Sequence, residues 1–271
     1  MASESKTDIR ELVGTCSGCE DPECMPCGAK ECIYGDPLHG HHDGCPSCYT
    51  TSIAGPLVMA FDFEKAGWTD EFDDVGFGVS VVDSNFHQLD SMFCPMLRKD
   101  TKFHPPCWAG FWSKDENKSQ LETLMYDGPL DKVAREREVF EEFKKFRRRW
   151  EQIAESRGVS LELVSDNNVF DGRLVNNWYR RFAPDELPLP YDMSGKYSTF
   201  WETDSMLRGI LAVVDPKHKS PWGLTARVRE LYSAPKPEFE SDHRPDHDAY
   251  EIAFDGQLVL AIRDGRLKLK K

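Results

Sequence analysis

Seven of the nine cysteines in this 271-residue chain fall before residue 50, and six of them form three C-x-x-C pairs: Cys16 and Cys19, Cys24 and Cys27, Cys45 and Cys48. Cys32, His39, His41 and His42 lie between the second and third pairs. This spacing lets two thiolates from one turn grip the same tetrahedral zinc, and the ligands present suffice for one or two ions. The segment has few large apolar side chains, so it has little to fold around without such a staple. A disulfide framework is the competing reading. It is disfavoured by the close pairing and by an N-terminus that lacks a basic start followed by an apolar run, so a reducing, intracellular compartment is expected. The six paired cysteines are the first zinc candidates, with Cys32, His39 and His41 to complete the sets. His41 and His42 are neighbours, which disfavours both binding one ion. Cys94 and Cys107 stand outside the cluster and read as ordinary buried thiols.

Near residue 51 the composition turns abruptly apolar, at Pro56-Leu57-Val58-Met59-Ala60-Phe61. Two units are expected: a zinc-binding segment over 1–50 and a larger domain over 51–271. In the second unit, short apolar runs predict strands at 57–63, 75–82, 88–93 and 161–164. Residues 94–130 read as a long irregular loop with short helical pieces. Apolar residues at three- and four-residue spacing predict a strong helix from Leu130 to about Ser156, stopped by Gly158. Further helices are expected at 171–181, 200–213, 224–232 and 247–263. Strands first, then alternation, then helices implies an α/β domain with a mixed sheet.

The formal charge of −13 argues against coating nucleic acid through a general positive field. Acidic residues gathered at a metal site add to that count, and bound divalent ions invert the local field. Local basic groups at 144–149, 217–219 and 268–271 are then the candidates for meeting phosphates, and the first and last of them read first as solvated helix faces and a solubilising tail. No stretch approaches the ~20 apolar residues that cross a bilayer, so no membrane partner is expected.

Three stretches carry candidate chemistry. Asp62 and Glu64 form a D-x-E pair on the first strand, which places both carboxylates on one face. Unpaired carboxylates on a buried strand are costly, so a cation is expected between them, and hard divalent ions suit oxygen ligands. The second stretch runs from Leu163 into a helix and ends at Asp171, with Asp166 and Asn167 as alternative caps. The third places His243 five residues before Asp248, ahead of an apolar helix. A loop histidine there can take a proton from water while the aspartate holds a metal. Asp246 and His247 read as surface or capping residues.

Taken in order, Asp62 and Glu64, then Asn-x-x-Phe-Asp ending at Asp171, then His243 and Asp248, resemble the DEDDh exonucleases. The resemblance spans roughly residues 56–263. It implies a ribonuclease-H-like mixed β-sheet flanked by helices, to which the small zinc-stabilised N-terminal segment is added. It further implies a 3′-to-5′ exonuclease that releases nucleoside 5′-monophosphates from a free, preferably single-stranded, 3′ end of RNA or DNA. On that pattern Asp62, Glu64 and Asp248 would hold one magnesium or manganese ion, Asp62 and Asp171 a second, and His243 would be the general base. Phe63 would wedge or stack terminal bases, and Trp108 or Trp112 on the long loop could pack on a single strand, although both tryptophans read first as core or loop packing residues. The alternative is a zinc-bearing binding module on the same fold without nuclease activity.

Overall fold

The computed structural model describes residues 55–270, apart from 70, 192–199, 221 and 239–241. The cysteine and histidine candidates Cys16, Cys19, Cys24, Cys27, Cys32, His39, His41, Cys45 and Cys48 lie outside the described residues. Strands β1 (Leu57–Lys65), β2 (Asp74–Val82) and β3 (Gln88–Pro95) form an antiparallel meander. Strand β4 (Leu161–Ser165) joins β1 in parallel, and β5 (Phe200–Glu202) joins β4 in parallel. The resulting order, β3-β2-β1-β4-β5, is a mixed five-stranded sheet with β1 at its centre.

The helices are α1 (Asp115–Leu124), α2 (Lys132–Arg157), α3 (Arg173–Phe182), α4 (Thr203–Val214), α5 (Leu224–Tyr232) and α6 (Pro245–Arg263). The alternation of β1 decides what each covers. Leu57, Met59, Phe61 and Phe63 face one way, into a core shared with Phe140 and Phe143 of α2 and Trp178 of α3. Val58 and Ala60 face the other way, against Tyr250, Ala253 and Phe254 of α6. Helices α4 and α5 extend that second layer through Leu207, Leu211, Leu224 and Val228. This is the α/β fold class expected, a mixed sheet flanked by helices.

Helix α2 is ~39 Å long at 1.5 Å per residue. Asp131 caps its start, accepting from the Ala134 N–H at 2.9 Å, and Gly158 ends it at φ 64°. Two expectations need correction. Phe200–Glu202 forms a strand, and the helix expected from 200 starts at Thr203. Three residues with two aromatics hold strand geometry there because β4 supplies the ladder. Residues 94–130, expected to be mostly loop, include the ten-residue helix α1. Among the described residues, no helix is long and apolar enough to cross a membrane.

Trp178 lies at the centre of the aromatic core, with ring centroids 4.8 Å from Phe63 and 5.0 Å from Phe77. Trp178→Ala is expected to cost about 3–5 kcal/mol, measured by urea denaturation followed by far-UV circular dichroism. A loss below about 1 kcal/mol would mean that this core collapses around the cavity.

Candidate active site

The parity that sends Val58 and Ala60 toward α6 continues along β1, so Asp62 and Glu64 emerge on the α6 face. Their placement depends on where β1 loses a neighbour. The β1–β4 register runs from Leu57 opposite Leu161 to Ala60 opposite Val164 and ends there, whereas β2 follows β1 along its whole length. Past Ala60 the edge of β1 toward β4 is open, and the Phe63 N–H is satisfied by Asp171 Oδ1 at 3.3 Å. Asp171 sits in a π-helical turn, Asn168–Gly172, that precedes α3; Asn167 caps this turn by accepting from the Phe170 N–H. Such turns recur at functional sites. The crevice therefore opens at the carboxyl ends of two parallel strands, where α/β folds tend to place ligands.

The third element, α6, reaches the crevice because β2 carries glycines opposite the acids. Gly78 pairs with Asp62 and Gly76 with Glu64. A Cβ on Gly78 would lie 2.1 Å from the Pro245 carbonyl carbon, and one on Gly76 would lie 2.4 Å from Leu124 Cδ2. The start of α6 thus rests on bare backbone. Asp242 braces the turn before it. Its N–H donates to Asp248 Oδ1 (3.1 Å), while its carboxylate accepts from the Arg244 N–H (3.1 Å) and meets His247 Nδ1 (3.1 Å). His243 takes a left-handed φ of 62°. Its ring stands edge-on to Phe111, 4.5 Å between centroids.

These elements bring the candidates into two adjoining groups. One ligand atom each from Glu64, His243 and Asp248 lies within 4.8 Å of the others, and the same holds for Asp62, Asp166 and Asp171. His243 Nδ1 is 3.7 Å from Glu64 Oε1 and 3.8 Å from Asp248 Oδ2. Asp62, Glu64 and Asp171 are all held well above the ordinary carboxylate range. Burial is the first cause for each. The next is the charge on Glu64 for Asp62, on Asp248 for Glu64, and on Asp62 for Asp171. The group fits a hard divalent cation on two counts: its donors are carboxylate oxygens with one imidazole, and Asp62 Oδ2 is buried without a hydrogen-bond partner.

Several sequence-based expectations change. Phe63 is 4% exposed and packed on Phe77 and Trp178, so its ring cannot stack on a base. Asp246, expected at the surface, is buried and forms a two-point pair with Arg244 at 2.8 and 3.1 Å. Helix α6 begins at Pro245, which puts His247 in its first turn, against Asp242. In the basic stretch at 144–149, Lys145 and Arg148 are exposed as expected of a solvated face, whereas the other three are paired. Lys144 pairs with Glu186 at 2.7 Å, the fully buried Arg147 with Glu151 at 2.7 Å, and Arg149 with Asp90. Cys94 and Cys107 are buried free thiols. Asp242, Gly76 and Gly78 escaped the sequence reading as site residues, and Asp166, read there as an alternative cap, joins Asp62 and Asp171. Glycines inside a strand pattern and an aspartate two residues before an unsatisfied N–H were the available signals.

No protein-family model matches the chain, and no curated protein matches it. Among solved structures it is similar to a product-bound exonuclease I, to the zinc-ion-bound ExoI–ssDNA complex from E. coli and to apo exonuclease I. Each is 16% identical over 79% of this chain, with TM-scores of 0.45, 0.45 and 0.44. The chain spans under half the length of those structures, 45%, 42% and 43%.

Two outcomes follow from this geometry. Carboxyls held high favour the folded state while protonated, so the stability they contribute is present below about pH 4. It is lost as pH rises through their raised values. In metal-free buffer, Asp62→Asn is therefore expected to melt several degrees above wild type at pH 8 and to lose most of that advantage at pH 5, by differential scanning fluorimetry. Equal melting at both pH values would contradict the repulsion. Gly78→Ala is expected to push α6 off the sheet and cost about 3 kcal/mol, while weakening manganese-induced stabilisation. An unchanged melting temperature would show that α6 can move without loss.

Proposed function

We propose that this chain is a metal-dependent 3′-to-5′ exonuclease, and that residues 1–50 form a zinc-stapled segment beside a catalytic unit at 51–271. The observation that carries the reading is the meeting of carboxylates from three separate elements in two adjoining oxygen-rich groups, with an unpartnered buried oxygen on Asp62. Asp62, Glu64, Asp171 and Asp248 would hold magnesium or manganese ions, with Asp166 as a further ligand candidate. Such ions polarise a phosphoryl oxygen and stabilise both the attacking and the leaving oxygens of an in-line displacement.

The remaining work belongs to the chain's own residues. His243, 42% exposed at the rim, takes the proton of the attacking water. Phe111 limits the swing of its ring, and the adjoining carboxylates stabilise the imidazolium that forms. Asp242 holds the α6 turn so that Asp248 faces Glu64. The Phe63 N–H fixes Asp171 through its Oδ1, beside Asp62 and Asp166. The products are nucleoside 5′-monophosphates, released from a free 3′ end.

The test is incubation of 5′-labelled single-stranded RNA and DNA with the protein and magnesium or manganese, beside an Asp62→Ala, Glu64→Ala variant. Wild type is expected to give a ladder shortening from the 3′ end, slowed roughly 1,000-fold or more in the variant. Cutting of circular substrates would replace the reading with an internal nuclease. No metal-dependent shortening would leave a zinc-bearing binding module on this fold.

A further inference from the structure

Three tryptophans gather beside the crevice and are used differently. Trp112 is 1% exposed, and its Nε1 donates to the Lys65 carbonyl at 3.0 Å, next in sequence to Glu64. Trp68 and Trp108 are 63% and 42% exposed. Trp68 packs edge-on against His104 at 5.1 Å between centroids, and Trp108 packs against the adjacent Phe103 at 5.0 Å. The two open indoles thus pack on successive residues, His104 and Phe103, of one aromatic patch. Backbone bonds make that patch stiff: the His104 N–H donates to Ala66 O and the Trp108 N–H to His104 O, both at 2.9 Å. The patch is also continuous with the site, because Phe111 belongs to the same turn as Trp108 and touches the His243 ring.

Large apolar rings left in water beside a polar crevice mark a binding surface. The chemistry here points to one occupant. Lys102 and Lys114 flank the aromatic run, are exposed, and carry no ion pair among the described residues. Stiff aromatic faces interleaved with unpaired lysines suit a chain of bases joined by phosphates. Only unpaired bases offer a free face. We propose that Trp68 and Trp108 form a stacking platform for the single-stranded nucleotides behind the 3′ end, with Lys102 and Lys114 meeting their phosphates. The proposal rests on the exonuclease reading for its direction, and it makes an unpaired strand the preferred substrate.

The full chain, with Trp68→Leu, Trp108→Leu and the double variant, is titrated without chelator into a fluorescein-labelled unpaired oligonucleotide whose 3′ linkages are phosphorothioates, so that cleavage is suppressed and the zinc proposed for residues 1–50 is kept. Anisotropy reports the dissociation constant, and thermal melting checks folding. The expected rise is roughly ten-fold per ring, largely recovered by Trp68→Phe and Trp108→Phe, with a blunt duplex indifferent to both leucine changes. Quenching of wild-type indole fluorescence by the same oligonucleotide gives a reading that needs no variant. The platform is overturned if quenching is absent, if the wild type does not bind, or if the folded double variant binds within about two-fold of wild type. Binding that depends on both rings in a protein that never shortens nucleic acid with manganese would remove the exonuclease reading and keep the platform. Shortening with an affinity indifferent to both rings would do the reverse.

Discussion

Like charges confined at the open end of a central strand set the terms for the rest of this molecule. Asp62 and Glu64 share a face of β1, Asp248 meets them from α6, and Asp171 and Asp166 approach from the turn after β4. Each added carboxylate raises the energy of the others, and burial removes the water that would screen them. Such a group persists only if the surrounding structure is over-determined. Here the surroundings are a strand held on one side by β2, an aromatic core beneath Phe63, and a helix start seated on glycine backbone. The stability invested in that core opposes the cost of the acidic crevice.

What could be read from residues alone follows how local each signal is. Helix α2 and strand β1 announce themselves through period and composition, because one buries an apolar stripe and the other lies between two layers. Strand β5 does not, since its three residues are extended only by virtue of pairing with β4. The order of the acidic residues along the chain could be read as a pattern. Their grouping could not, because it depends on the register at which β4 leaves β1 and on the left-handed turn at His243. Asp166 had been weighed as a cap, yet Asn167 takes that part and Asp166 joins Asp62 and Asp171. The inward position of Phe63 follows from its parity with Leu57, Met59 and Phe61 along β1, a signal the sequence carries and the stacking expectation passed over.

Basic residues show the same division. In the densest run, at 144–149, Lys144, Arg147 and Arg149 are taken up by ion pairs, with Arg147 fully buried among Glu151 and Tyr179, and only Lys145 and Arg148 are left exposed. In a chain of net charge −13, the nucleic acid proposed as substrate would have to be attracted by a few scattered cations and by any divalent ions that the carboxylates held. Salt sensitivity for such a protein would be shallow beside that of a basic nucleic-acid binder, because few counterions are displaced.

The contact between β2 and α6 has a further consequence. At Gly78 the main chain of β2 lies directly against the main chain of Pro245 and Asp246, so the separation between β2 and the start of α6 is a sum of main-chain radii. No rotamer change widens or narrows it. What remains adjustable between β1 and α6 is the side chains of Glu64 and Asp248 themselves. The placement of the helix that carries Asp248 is thus written in the backbone of a neighbouring strand that supplies no acid.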